Sequence, residues 1–554
     1  MKAMSNETVR RLLLVPMAIS NLALLSAAAN VPPVVRPLFI ASGMKEVLIL
    51  GLMAVLVICF AVHCRFSDKP SLLRQWLKTA KSVRDSLDAP LLWWSKHDCL
   101  SLRGLLNGGV LISGRSGSGK TSSSGAALAR AIVGHRSSGG SILAATGVCQ
   151  GMWRDIFRKA GRPDDLLVFG PDHPLRFNFL DYVSTHEKHT RNITRFIMTL
   201  GESLRTNAGG GGDDGSYWES QFERMIYNAV EIVRQGTGRV TAPTLQQFIL
   251  GYAPAPEFLS SDEFRKSFHC QVLSACYTGQ KTTIEKHDRE QAEAYWVAEI
   301  PSMAPKTRSS ILAGVLQILH VFNSGIVREL VSAETTVSPD DILAGKWVLV
   351  DAPVCEQGDV GAFLCAGWKY ILQRRILQRQ AQASDPFCVI WADEAHLHIN
   401  NHDATFAAQS RAHRGASVYL TQGLDGLLAA LPGEAGRNQV MALLTNFHHK
   451  IVHALGSSQD AEYFSALIGA KPQTMTGGSM APAENLYEDL FGGNSRFTSN
   501  FSTQILPEVQ PGLLINGPRC GGAANKYQCD ALIVRSGEPF RNGSNYLWTT
   551  FTQQ

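Results

Sequence analysis

The stretch "GVLISGRSGSGKTSSSGAALARAIVG", Gly109 to Gly134, constrains this chain more than any other. Within it Gly114, Gly119, Lys120 and Thr121 satisfy G-x-x-x-x-G-K-[ST]. The apolar run "VLIS" before the glycines reads as a short buried strand, and "TSSSGAALARAIV" after them as a helix. A strand, a glycine-rich turn and a helix in that order make a phosphate cradle. The glycines let backbone N–H groups turn inward, and the helix N-terminus adds its positive end. The expected ATP-binding loop is Gly114, Arg115, Ser116, Gly117, Ser118, Gly119, Lys120, Thr121 and Ser122. Lys120 is placed to reach the β- and γ-phosphates, and the Thr121 hydroxyl to ligate Mg2+.

Such a cradle needs an acidic partner at the end of a neighbouring strand. "FCVIWADEAH" supplies one, with apolar Phe387–Ala392 followed by Asp393 and Glu394. Asp393 is expected to hold Mg2+, and Glu394 to orient and activate the attacking water. Asp351 in "KWVLVDAP" also ends an apolar strand, but Ala352 and Pro353 follow it, so no base is in place. It reads as an adjacent strand of the same sheet. A third strand, "ASVYLTQG", ends in Thr421 and Gln422, where a polar side chain can sense the γ-phosphate. Arg411 and Arg414 precede that strand, each readable either as an arginine finger reaching a neighbouring subunit or as an exposed helix charge.

At 554 residues the chain is too long for one ordinary core. Its 45% apolar and 18% charged residues exclude wholesale disorder, and a net charge of +5 permits contact with nucleic acid or anionic lipid without demanding either. The 11 cysteines show neither C-x-x-C pairs nor metal-ligand spacing, and read as reduced thiols in a reducing compartment. Two apolar stretches, Leu12–Val31 and Val47–Val62, open the chain. They read as a transmembrane hairpin, and the first also has the features of a signal peptide. Lys2, Arg10 and Arg11 before the pair, and Arg65, Lys69, Arg74, Lys78, Lys81 and Arg84 after it, place both ends in the cytoplasm.

Cradle and acidic strand are far apart in sequence. Between them, from about His186 to Ala304, helical periodicity dominates, broken by the glycine-rich "NAGGGGDDG". The expected organisation is therefore a hairpin at 1–66, the first part of an α/β ATPase domain at 67–185, an inserted all-α domain at 186–304, and the rest of the ATPase domain at 305–554.

The ordered motifs resemble a family. Hairpin, cradle, "FGPDHPLRFNFLDYV", "TRSSILAGVLQILHVFNSGIVREL", "ADEAH", "RAHRGASVYLTQ" and "LLTNFHHKIVHALGSSQDAEYFSALIGA" follow one another as in the type IV secretion coupling proteins. These are the TraG/TraD group within the FtsK–HerA-like branch of P-loop motor ATPases. The resemblance implies a RecA-like fold and a multi-pass inner-membrane homo-hexamer with a cytoplasmic ATPase domain. It also implies a partner set of single- or double-stranded DNA, relaxase or effector proteins, and secretion-channel components. Cradle, Asp393, Glu394 and Gln422 fall on the family's nucleotide-site positions, and Arg411 on that of its trans-acting finger. One departure stands out: where many members read D-P-K-G, this chain has "AATGV" at Ala144–Val148 and lacks both the acid and the lysine. Two other readings compete with the motor. "DEAH" is also a helicase motif, although the arginine-rich "SRAHRG" follows Glu394 too closely for a second helicase core. A membrane scaffold that binds nucleotide only for assembly is the other.

Overall fold

The computed structural model describes residues 87–147, 149–205, 215–480 and 497–553. The two N-terminal apolar stretches and most of the glycine-rich break lie outside them. Among the described residues no single helix is long and apolar enough to cross a membrane.

Short apolar runs with β-branched residues build the centre of the molecule. After a two-stranded hairpin, β1 (Pro90–Trp93) with β2 (Cys99–Ser101), they are β3 (Val110–Ser113), β4 (Ser138–Leu143), β5 (Leu166–Phe169), β6 (Trp347–Val350), β7 (Phe387–Ala392), β8 (Gly415–Thr421) and β9 (His449–Val452). Most are buried along their whole length, as strands of a parallel sheet covered on both faces must be. With β12 (Gln528–Arg535) and β13 (Tyr546–Thr552) they form one nine-stranded sheet in the order β13-β12-β9-β3-β8-β7-β4-β6-β5. All pairings from β9 to β5 are parallel, and β12 and β13 add an antiparallel edge. The Asp351 strand, β6, belongs to this sheet but is separated from the acidic strand β7 by β4.

Alternation along these strands divides the core in two. Leu111, Val348, Val350, Ile390, Tyr419 and Val452 face one side, while Val110, Ile112, Leu349, Val389, Trp391, Val418 and Ile451 face the other. The first face packs under helices, for every described element from Phe179 to Leu343, between β5 and β6, is helical. The second carries α1 (Ala126–Gly134), which follows the cradle, and α2 (Cys149–Lys159). A separate antiparallel hairpin, β10 (Ala470–Met480) with β11 (Phe497–Pro507), leaves Phe501 and Ile505 exposed.

The sheet fixes the position of everything chemical. Parallel strands bring all their carboxyl ends to one rim, where loops and helix N-termini meet. The glycine loop leaves β3 on that rim. Ser113 pairs with Thr421 of β8 on one side and Val452 of β9 on the other.

Candidate nucleotide site

The loop after β3 turns sharply because its glycines adopt conformations closed to other residues. Gly117 and Gly119 have φ of +74° and +87°. Gly119 is doubly constrained, since a β-carbon there would lie 2.3 Å from the Cys529 sulfur. The chain then enters a helix through a wide π-turn at Thr121–Gly125 before α1. Wide turns of this kind are frequent at functional sites.

Lys120 is buried beneath the loop and points across the rim. Its Nζ lies 3.2 Å from Glu394 Oε1, and the Gln422 amide donates to the same oxygen at 3.0 Å. The cradle lysine and the ends of two other strands thus meet at one carboxylate. Glu394 itself sits at φ 49°, ψ 59°, a left-handed conformation that a non-glycine residue holds only when its surroundings force it. The Glu394 N–H donates to Asp393 Oδ1 at 3.1 Å, tying the two acids together.

Asp393 is largely buried. Burial, and next the Glu394 charge, hold its carboxyl above the ordinary range, while Lys120, the Glu394 N–H and the Thr121 hydroxyl partly offset them. The hydroxyl–carboxylate contact puts Thr121 and Asp393, the two expected metal ligands, side by side. Two further atoms are left over. Ser118 Oγ is buried with no hydrogen-bond partner among the described residues, and Glu394 Oε2, also buried and without a hydrogen bond, has only His396 Nδ1 near it, at 3.6 Å. A polyphosphate with a divalent cation fits this donor set, which offers a buried ammonium, a hydroxyl, two carboxylates and inward-turned N–H groups. The cavity beside the loop has a volume of about 620 Å3. Its walls include Lys120, Thr121, Ser122, Arg130, Met152 and Gln553.

Arg411 lies elsewhere. It is exposed in the turn before β8, at the amino end of the strand whose carboxyl end bears Gln422. Seven residues of strand put it about 20 Å from its own cradle. Arg414, next to it, has φ 52° and a buried Nε without a hydrogen-bond partner among the described residues.

Several residues at the site escaped sequence reasoning. Gln553, near the end of the chain, donates to Ser122 Oγ at 3.0 Å. His453, just past β9, lies under the loop with Nδ1 3.0 Å from the Asp530 carbonyl oxygen, which can only accept. Nδ1 therefore carries the proton, and Nε2 accepts from Ser124 Oγ at 2.7 Å. Burial lowers the His453 pKa to about 4, so the ring is neutral and braces the cradle helix. At the departure noted above, Glu356 from beyond β6 accepts from the Gly147 N–H at 3.0 Å. A distant acid thus occupies the neighbourhood of "AATGV". Asp351 is engaged by His173 at 2.8 Å. Only the residue types and strand ends of these contributions were visible in sequence, because the pairings are set by sheet order.

The fold is therefore mixed α/β, with a glycine loop and an acidic strand on the same rim of a mostly parallel sheet. Solved structures similar to it include the bacterial conjugative coupling protein TrwBdeltaN70, with 13% identity, 82% of this chain and 87% of that chain covered, and a TM-score of 0.49. The plasmid coupling protein TrwB in complex with ADP and Mg2+ gives 12% identity with the same coverage and TM-score. VirB4 of Thermoanaerobacter pseudethanolicus gives 13% identity, 80% and 89% coverage, and a TM-score of 0.40. No protein-family model matches the sequence, and no curated protein matches it either.

Proposed function

We propose that this chain is a membrane-anchored motor ATPase of the type IV secretion coupling group, passing DNA or protein cargo to a secretion channel. The observation that carries the reading is the meeting of Lys120, Glu394 and Gln422 above the cradle, at 3.2 and 3.0 Å. A strand between the cradle strand and the acidic strand, here β8, agrees with a RecA-like arrangement.

In this reading residues 114–122 wrap the phosphates of ATP and Lys120 neutralises them. Thr121 and Asp393 hold Mg2+, which supplies positive charge to the phosphoryl oxygens. Glu394 orients water towards the γ-phosphate, and Gln422, bonded to that carboxylate, reports the loss of the phosphate to β8 and its flanking turns. Arg411 serves the cradle of a neighbouring copy in a hexameric ring. A helicase is less well supported, because the described residues form one large sheet and two hairpins, without the second core sheet that reading needs.

The test is ATP hydrolysis by the full chain in detergent, with and without single-stranded DNA, beside Lys120→Ala. DNA-stimulated turnover that disappears in the variant supports a nucleic-acid motor. Turnover indifferent to DNA moves the reading to protein cargo. An absence of turnover, with nucleotide still bound, replaces the motor by the scaffold.

A further inference from the structure

Two cysteines that the nucleotide chemistry does not use face each other against the cradle. Cys529, on β12, forms an isolated antiparallel bridge with Cys520. Around that pair the Gly521 N–H donates to the Gln528 carbonyl at 3.0 Å, and the Asp530 N–H to the Arg519 carbonyl at 3.0 Å. Those bonds flank the pair without joining it, which makes Cys520 and Cys529 a non-hydrogen-bonded pair. Opposed residues of that kind stand about 4.5 Å apart at Cα with side chains on one face. A disulfide spans Cα separations of about 4.4 to 6.8 Å. Both thiols are free.

Their surroundings connect them to the loop. Cys529 Sγ lies against Gly119, where a β-carbon would fall 2.3 Å from it. The Arg115 guanidinium donates to Cys520 Sγ at 3.6 Å. The same turn holds the chain end, since the Gly522 N–H donates to Gln553 Oε1 at 2.8 Å and Gln553 donates to Ser122. Arg115 and Gly119 of the cradle therefore rest on the segment that the two cysteines close, and Ser122 is tied to it through Gln553. Cys520 is part-exposed and Cys529 buried, which gives the pair one thiol that meets solvent and one that resolves.

We propose that Cys520 and Cys529 are a reversible oxidation site whose disulfide loosens the cradle's hold on nucleotide. The oxidant is a peroxide. Cys520 sulfur attacks a peroxide oxygen, the O–O bond breaks, and the products are a sulfenic acid and water. Cys529 sulfur then attacks the Cys520 sulfur, the S–O bond breaks, and a second water leaves. Overall, two thiols and one hydrogen peroxide give one disulfide and two waters, and a dithiol reductant reverses the change. Forming the bond draws Cys529 Sγ from its packing on Gly119 and takes Cys520 Sγ from Arg115. The disulfide itself stands apart from any secretion role, and its effect on binding rests only on the loop being a nucleotide cradle.

The test treats the full chain in detergent with hydrogen peroxide, maps disulfides by non-reducing peptide mass spectrometry, and titrates a fluorescent ATP analogue before and after. A Cys520–Cys529 peptide is expected, with affinity at least fivefold weaker, restored by dithiothreitol. Cys520→Ser gives neither the linked peptide nor the affinity response. Cys529→Ala, which leaves Cys520 without its partner, stops at a sulfenic acid that a dimedone probe labels. Linkage of either cysteine to another partner overturns the proposal, as does a mapped 520–529 bond with unchanged affinity. Absence of nucleotide binding by the reduced protein refutes the cradle reading instead, whatever the disulfide map shows.

Discussion

Replacing Glu394 by Gln tests the site most sharply, because it should move binding and turnover in opposite directions. Lys120 Nζ and Glu394 Oε1 stand 3.2 Å apart, with the carboxylate only 20% exposed. Coulomb's law at an effective dielectric of about 20 gives roughly 5 kcal/mol for two unit charges at that distance. Desolvation of both groups offsets most of this, leaving about 1 to 2 kcal/mol of net pairing. Incoming phosphates compete with that pairing for Lys120. Glu394→Gln removes the competitor and should tighten nucleotide binding by about 5- to 30-fold. Loss of the water-orienting carboxylate should lower hydrolysis by about a hundred- to ten-thousand-fold. Binding is read with a fluorescent ADP analogue, and turnover by phosphate release. Gln422→Ala is the control: turnover falls, but binding does not tighten, since the ion pair persists. Glu394→Gln binding no tighter than the parent would falsify the competition argument, and turnover within threefold of it would remove Glu394 from the chemistry.

Three other outcomes follow from the same structure. Gly119→Ala imposes a β-carbon at φ +87° and 2.3 Å from sulfur. The cost is about 2 to 4 kcal/mol, seen as lost nucleotide binding and a Tm several degrees lower. Lys369, fully buried, pairs with Asp403 at 2.7 Å beneath the loop that follows Glu394, and Gln373 and Tyr419 also donate to that carboxylate. Lys369→Met should cost about 3 to 5 kcal/mol in urea unfolding, and adding Asp403→Leu should not recover it, since Gln373 and Tyr419 then lose their buried acceptor. Burial lowers the pKa of His269 and His453 to about 4, and of His398 and His449 to about 3. The native state keeps these rings neutral, while the unfolded chain protonates them near pH 6.5. Stability is therefore full above that value and lost as pH falls through the interval towards 4. Tm should be flat from pH 7 to 8 and decline steadily below about 6, and a Tm constant down to pH 4.5 would contradict the assignment.

What the sequence made legible was what chemistry writes locally. The cradle is one continuous run, because a loop that turns backbone N–H groups inward needs glycine and a lysine at fixed offsets. Phe387–Glu394 was readable because a buried parallel strand is uniformly apolar and the acids stand where it surfaces. The strands themselves ran close to the expected residues for the same reason. Partners across the sheet were not readable. His453, Cys529 and Gln553 approach the loop because β9 lies beside β3 and β12 pairs antiparallel beyond it, and nothing in "HHKIVHAL" or "KYQCDALIV" announces that order. The nearness of Glu356 to Gly147 is hidden in the same way: the strand before it, β6, pairs with β4 from a separation of about two hundred residues.

If Arg411 serves a neighbouring copy, as proposed above, its placement has a consequence for assembly. Cradle and arginine lie on opposite rims of the sheet, so in that role the arginine reaches the cradle of another copy and not its own. A contact that joins the two unlike surfaces is heterologous, and repeated use of it propagates the chain of copies in one direction. A two-fold dimer leaves at least one such surface unused on every copy. Only closure into a ring satisfies both on all of them. The count of subunits is then a matter of the angle between rims, and a single wedge residue placed at either rim changes that angle without touching the chemistry.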